Sequence, residues 1–366
     1  MKKSLSWIAL IVVVLIVIVW AGKGKVDDVK IGFIGPLTGD VSSLGVPARV
    51  AVELAIEEFN AAGGYNGKPV TGIYEDGKCS GASANSAAQK LINVDKVNVI
   101  VGGLCSGETS SFLTLATEKK VPTMSYASSM PGLSGVSPYF VRDFPSDTKQ
   151  GVFAAGYVYN TLRARKVAVL YHVSDWGTGI KDVFVKEFKK LGGEIVLEDG
   201  SAQTNKDYKT TVAKVKELKP DYIFMPMYTE GGLVAIKQLQ DQGVRTKIFG
   251  GDSFSDPKFN TDVSKTADIL YGTVKTSTNE SFAEKINIKT SGTQVPVGTA
   301  EAYDAANIFL AAIKKVGTDP DEIMAQVRAS DTQGVSGRIR FDDKGDRVDT
   351  DYVIYRVQNG ASVEVK

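Results

Sequence analysis

Short apolar runs alternate with segments of helical period along most of this chain, and near residue 150 the alternation starts again. In the first half VKIGFIG is followed by ARVAVELAIEEFNAAGG, whose apolar residues recur at helical spacing until Gly63 and Gly64 stop the helix. PVTGIYED, VNVIVGG and VPTMSYA are the next strand runs, with helical segments between them and a short helix after the last. The second half repeats the scheme: KVAVLYHV, EIVLEDG, DYIFMPMY and KIFGGDS read as strands, separated by TGIKDVFVKEFKKLGG, YKTTVAKVKELK and GGLVAIKQLQDQG. Such alternation with short loops demands parallel sheets covered by helices on both faces. There are too many units for one sheet, so the restart predicts two doubly wound α/β lobes. The break falls in RDFPSDTKQG, residues 142–151. After a late helix, GTAEAYDAANIFLAAIKKVG, the stretch GRIRFDDKGDRVDTDYVIYRVQNG reads as strands joined by turns at Lys344-Gly345 and Asn359-Gly360.

The first 25 residues stand apart. Lys2 and Lys3 precede WIALIVVVLIVIVWAG, residues 7–22, which carries no charge. At about 1.5 Å per residue this run barely reaches across a ~30 Å hydrocarbon core. One reading is a cleaved secretory signal, with Val19 and Ala21 before the cut. The other is an uncleaved membrane anchor with Trp7 and Trp20 at the two interfaces, which the length and Val/Ile content favour. Either reading exports everything after Lys25.

Composition narrows the function. Net charge is +1 with no basic block, so nucleic acid is not an expected partner. His172 is the only histidine and lies inside a strand run, so a zinc site is not expected, and no other metal or cofactor motif stands out. No phosphate loop, no G-x-G-x-x-G after the first strand and no G-x-S-x-G is present. The only cysteines are Cys79 and Cys105. In an exported chain an isolated pair favours a disulfide, closing a loop of roughly 26 residues for about 3 kcal/mol. The competing reading makes Cys105, in VGGLCSGETSS, a nucleophile, for which His172 is the one available base. With so little to support catalysis, a non-enzymatic function is expected.

In open α/β sheets ligands sit beyond the carboxyl ends of the strands. Those ends are GPLTGDVSSLG, GGLCSGE and YASSMPG in the first half, and HVSDWGTG, MPMYTEGG and GGDSFSD in the second. Ser106 and Ser129 stand at strand-to-helix junctions, Ser129 two residues before Pro131. A serine there caps a helix and leaves backbone N–H groups for an anion; plain capping without a ligand is the alternative. Trp176 and Tyr228 are either pocket walls or loop packing. Asp252 either pairs an ammonium or caps the next turn.

Taken together, IGPLTG with Gly45 downstream, the helix ending NAAGG, YEDGKC, GGLCSGET, YASSMPGL and FDDKGD resemble the periplasmic Leu/Ile/Val-binding proteins of ABC transporters, from about Val29 to the C-terminus. The resemblance implies a type I periplasmic binding fold: two Rossmann-like lobes on a three-stranded hinge, closing on a ligand. It divides the chain into residues 27–146 plus 275–350 and residues 147–274 plus 351–366. It implies that Cys79 and Cys105 form the family's disulfide, which answers for Cys105. It carries the ligand's carboxylate to the hydroxyls of Ser106 and Ser129, flanked by the backbones of Leu104 and Ala127. Asp252 takes the ammonium, and Trp176 and Tyr228 cover the ligand from the second lobe. Leu44 stands where some leucine binders have an aromatic. His172 and Glu108 are left as strand and loop residues. The function implied is an extracytoplasmic receptor for an apolar, branched-chain type amino acid, working as a monomer with the membrane permease of an ABC importer and without a cofactor. A sensing ectodomain, a receptor for amides, urea or aromatic acids, and an extracellular hydrolase are the alternatives.

Overall fold

The computed structural model describes residues 28–263, 267–275, 279–292, 295–348 and 350–365; the run at residues 7–22, and with it the choice between signal and anchor, lies outside them. β1 (Lys30–Gly35), β2 (Thr71–Asp76), β3 (Val99–Gly102), β4 (Thr123–Ser125) and β5 (Phe140–Arg142) make an all-parallel sheet in the order β2–β1–β3–β4–β5. Helices α1 (Ser42–Ala61), α2 (Gly81–Gln89) and α3 (Ser106–Glu118) connect its strands. The central strands are buried along their whole length, as IGFIG and VIVG require of a sheet covered on both faces.

A second unit begins with α4 (Asp147–Gly156) and continues through β6 (Lys166–His172), α5 (Asp175–Lys190), β7 (Glu194–Ser201), α6 (Lys209–Leu218), β8 (Tyr222–Met225), α7 (Thr229–Asp241), β9 (Lys247–Gly250), α8 (Pro257–Asp262) and β10 (Ile269–Val274). Then come α9 (Glu280–Thr290), α10 (Thr299–Val316), α11 (Pro320–Arg328) and the hairpin β11 (Asp331–Gly334) with β12 (Gly337–Arg340). The final pair, β13 (Tyr352–Gln358) and β14 (Ala361–Glu364), turns at Asn359-Gly360, both at positive φ, and completes a seven-stranded sheet ordered β14–β13–β10–β9–β8–β6–β7. α10 returns to the first unit and packs on α1, where Ala48, Ala51 and Ala55 of one helix and Ala302, Ala305 and Ala306 of the other are all buried. Small side chains let the two helices approach closely. In the second unit α5 sets Ile180, Phe184 and Phe188 along one face, and Phe184 stacks on Phe224 of β8 with ring centroids 3.9 Å apart. Each such buried ring is worth roughly 1.5–3 kcal/mol of transfer free energy.

The chain therefore passes between the units three times, after β5, after β10 and before β13. The passages lie side by side: Arg142 bridges Asp346, and Lys275 donates its N–H to the Asp351 carbonyl at 2.8 Å. These three passages stand where the hinge was expected. The expected strands and the two-lobed doubly wound α/β architecture are present, while α4, α8, α9, α11, β5 and β11 were not foreseen. α4 starts inside the segment read as a break: Ser146 caps it, accepting from Thr148 N–H at 3.3 Å, one residue after Pro145. The polar DTKQ opening hid the amphipathic face that follows it.

Candidate ligand site between the lobes

The carboxyl ends of the first sheet face those of the second across a cleft. Its floor on one side is set by local sequence. The TGDVSSLG loop enters α1 so tightly that a Cβ on Gly45 would lie 2.0 Å from the Pro36 carbonyl oxygen, so only glycine fits there. This seats Leu44 in the cleft. On the same side the Cys79–Cys105 disulfide, with Cα atoms 5.3 Å apart, ties the loop after β2 to the start of α3. That is the predicted pairing, and it leaves no thiol at Cys105 among the described residues.

Glu108 does more than the sequence reading granted it. It is fully buried, and its carboxylate accepts the backbone N–H groups of Leu104 at 3.1 Å, Cys105 at 3.0 Å and Cys79 at 3.0 Å. Burial outweighs these three bonds and pushes its carboxyl up to about 7. The residue thus fixes both ends of the disulfide loop and the backbone of Leu104.

The cavity between the lobes is lined on the first side by Leu44, Leu104, Ala127, Phe144 and Val297. On the second it is lined by Trp176, Tyr228, Asp252 and Ser253. Five of the seven sequence-chosen ligand residues therefore meet here: Leu104, Ala127, Trp176, Tyr228 and Asp252. At the observed lobe separation the cavity measures about 30 Å³, room for a water or two, so any larger ligand enters only as the lobes part. Trp176 lies in the first turn of α5, capped by Ser174, which accepts from Gly177 N–H at 3.1 Å. Its ring meets that of Tyr228 at 4.8 Å. Tyr228 is held in turn by His172, whose Nδ1 accepts the Tyr228 N–H at 3.1 Å. Burial pulls the His172 imidazole down to about 4, so it is neutral at pH 7.

Ser106 and Ser129 lie behind this lining, both buried. Neither caps a helix. Cys105 holds the cap position of α3, and Met130 precedes the short 3₁₀ turn that starts at Pro131. Ser106 Oγ instead accepts the Met130 N–H at 3.1 Å, and Ser129 Oγ donates to Asp147 Oδ2 at 2.8 Å. The Leu104 and Ala127 N–H groups are also engaged, by Glu108 and, at 3.3 Å, by Ser125 Oγ.

Asp252 is buried, and that burial pushes its carboxyl up to about 7. It opens the turn after β9 and has the only carboxyl among the described residues of the cavity lining. Asp147, which the sequence reading passed over, is a second acid beside it. Asp147 is fully buried, one of its oxygens has no hydrogen-bond partner, and burial and the Asp252 charge raise it well above the carboxylate range. Arg142, also buried, is committed elsewhere: Nε meets Asp346 at 2.7 Å, Nη1 donates to the Met130 carbonyl at 2.8 Å and Nη2 to Ser134 Oγ at 2.7 Å. It braces the loop that carries Ser129. The signal for Asp147 was available in SDTKQ as an acid next to a predicted lobe break, but nothing in the sequence puts it beside Asp252.

Chemically the site is a narrow slot with apolar walls and the Asp252 carboxyl at one end, with Asp147 beside it. Among the described residues no cluster of three or more His, Cys, Asp or Glu is arranged to hold a metal ion. The chain was compared with known proteins. A family model for periplasmic binding protein matches residues 28–362. A leucine-, isoleucine-, valine-, threonine- and alanine-binding protein of Pseudomonas aeruginosa is 25% identical over 348 residues, 93% of each chain. A leucine-binding protein, LivK, of Thermotoga maritima has a similar structure, with TM-score 0.86, 26% identity, and 92% of this chain and 98% of that one covered. LivJ of Streptococcus pneumoniae, a branched-chain amino acid transporter substrate-binding protein solved with isoleucine, gives TM-score 0.82 at 27% identity, covering 93% and 100%. The family match spans nearly all of the described residues and the fold agrees with it: the chain belongs to the periplasmic binding protein family.

Proposed function

We propose that this chain is the solute receptor of an ABC importer, binding a free amino acid with an apolar, branched-chain type side chain between its lobes and delivering it to the membrane permease. The observation that carries the reading is the cavity lining: Leu44, Leu104, Phe144, Val297, Trp176 and Tyr228 offer apolar wall, and Asp252 offers one carboxylate at its end. An aliphatic side chain suits the first, an α-ammonium the second. Ser106 and Ser129 take the α-carboxylate once the ligand has parted the lobes, trading their present partners for it. Trp176, Tyr228 and Asp252 then close over it from the second lobe, pairing each buried charge. The lobes are residues 27–146 with 275–350 and residues 147–274 with 351–366. The protein works outside the cytoplasm as a monomer, and residues 7–22 are either removed on export or tether it to the membrane.

The test is a thermal-shift screen of residues 26–366, stripped of ligand by unfolding and refolding, against the twenty amino acids, urea, acetamide and benzoate. A ligand at 100 times its Kd adds about 2.7 kcal/mol, roughly 5–10 °C for a protein of this size. Shifts confined to Leu, Ile, Val or other apolar amino acids are expected. A shift with benzoate or an amide alone would overturn the ammonium assignment.

A further inference from the structure

Among the described residues, three polar contacts cross the cleft rim outside the ligand cavity, and they differ in kind. Lys206 Nζ meets Asp40 Oδ2 at 3.2 Å with both side chains about half exposed, so solvent screens it. Ser110 Oγ donates to Asp175 Oδ2 at 2.5 Å, also at the surface. The third is sheltered. Ser43, in the first turn of α1, donates its hydroxyl to Asp256 Oδ2 at 2.6 Å, and Asp256 is completely buried. The same oxygen accepts Thr229 Oγ1 at 2.6 Å, while Oδ1 caps α8 through the Lys258 N–H at 2.9 Å. Thr229 and Lys258 belong to the lobe of Asp256. Ser43 alone comes from the other lobe, so opening the cleft breaks that bond and no other on this carboxylate.

We propose that Ser43–Asp256 is a ligand-independent latch: it weights the open–closed equilibrium toward closure by one fixed factor, whatever occupies the cavity. A hydrogen bond to a buried charge is worth about tenfold in such an equilibrium, and an apparent Kd scales inversely with the fraction of closure-competent protein. Ser43 thus acts through lobe closure, as a positioning residue that sets affinity and leaves selectivity to the cavity walls. The inference uses the two-lobe closure of the proposed function but not its choice of ligand.

Two variants test it. Ser43→Ala removes the donor. Ser43→Asp sets a carboxylate against Asp256, yet an acid in the first turn of a helix is locally favourable, so α1 keeps its fold. Small-angle scattering of ligand-free protein and calorimetric titration with L-leucine and L-valine are measured on wild type and both variants. A larger radius of gyration for Ser43→Asp is expected, with both Kd values raised about tenfold in Ser43→Ala, more in Ser43→Asp, and their ratio unchanged. Identical scattering with unchanged affinities would overturn the latch, and so would a change in the leucine-to-valine ratio. If wild type binds neither amino acid, the proposed ligand class falls and scattering alone decides the latch.

Discussion

The backbone N–H of Tyr228 donates to Nδ1 of His172 across 3.1 Å, joining the end of β6 to the loop after β8 directly behind the cavity wall. The one histidine in the chain is thus an acceptor that aims an aromatic side chain, and its ring lies 5.8 Å from the ring it positions.

His172→Leu leaves that N–H buried and unpaired, which costs about 1–3 kcal/mol. His172→Asn keeps an acceptor and loses less. Burial holds the His172 imidazole near 4, against about 6.5 in an unfolded chain. The unfolded state therefore binds the extra proton first, and this residue's contribution to stability is full above pH 6.5 and drains away as pH falls toward 4. Urea unfolding across that window checks the sign: wild type should lose up to about 3 kcal/mol relative to His172→Asn.

Glu108→Gln is isosteric but wrong for its site. Oε1 accepts from Cys79, and Oε2 accepts from Leu104 and Cys105. An amide turns one of those two positions into a donor facing a donor. A loss of about 2–3 kcal/mol in denaturant unfolding is expected, with weaker ligand binding because the Leu104 backbone lines the cleft. Unchanged stability would refute the bracing role of Glu108.

Reducing the Cys79–Cys105 bond, or replacing both residues by serine, frees a loop spanning 26 positions. About 3 kcal/mol of stability should be lost, read as a lower Tm with reductant than without. The double serine variant should show no such reductant effect.

With the cavity closed, burial pushes the Asp252 carboxyl up to about 7. An α-ammonium favours the ionised carboxylate, so ligand binding expels a proton below about pH 7. Amino-acid affinity should rise with pH from 6 to 8, and calorimetry in buffers of different ionisation enthalpy should detect the released proton. Asp252→Asn should abolish that pH dependence and weaken binding at least a hundredfold, about the weight of a buried charge pair with one partner removed. Affinity within a few-fold of wild type would sink the ammonium assignment.

Much of this was legible in the residues. Runs such as VNVIVGG and KVAVLYHV read as covered parallel strands, the loops at strand carboxyl ends pointed to Trp176, Tyr228 and Asp252, and the family resemblance added Leu104 and Ala127. What was not legible depends on distant pairing. β5 has three residues and gains its identity from β4 beside it. Asp147 matters because it is folded against Asp252, more than 100 positions away in sequence. Glu108 reads as a loop residue until its three backbone donors are in view. Ser106 and Ser129 were seen as helix caps, but the tertiary fold offered them better partners in Met130 and Asp147.

The return of β13 to pair with β10 has a consequence for how the molecule is made. Five residue pairs join these strands, from Leu270 with Arg356 to Val274 with Tyr352. Until residues 352–364 are available, β10 presents a bare edge and the second sheet is two strands short. The first lobe likewise waits for α10 to cover α1. Neither half can finish folding as its own stretch emerges from the ribosome. A nascent chain of this topology stays open until nearly all of it has been delivered, the condition in which a polypeptide can be threaded across a membrane before it folds.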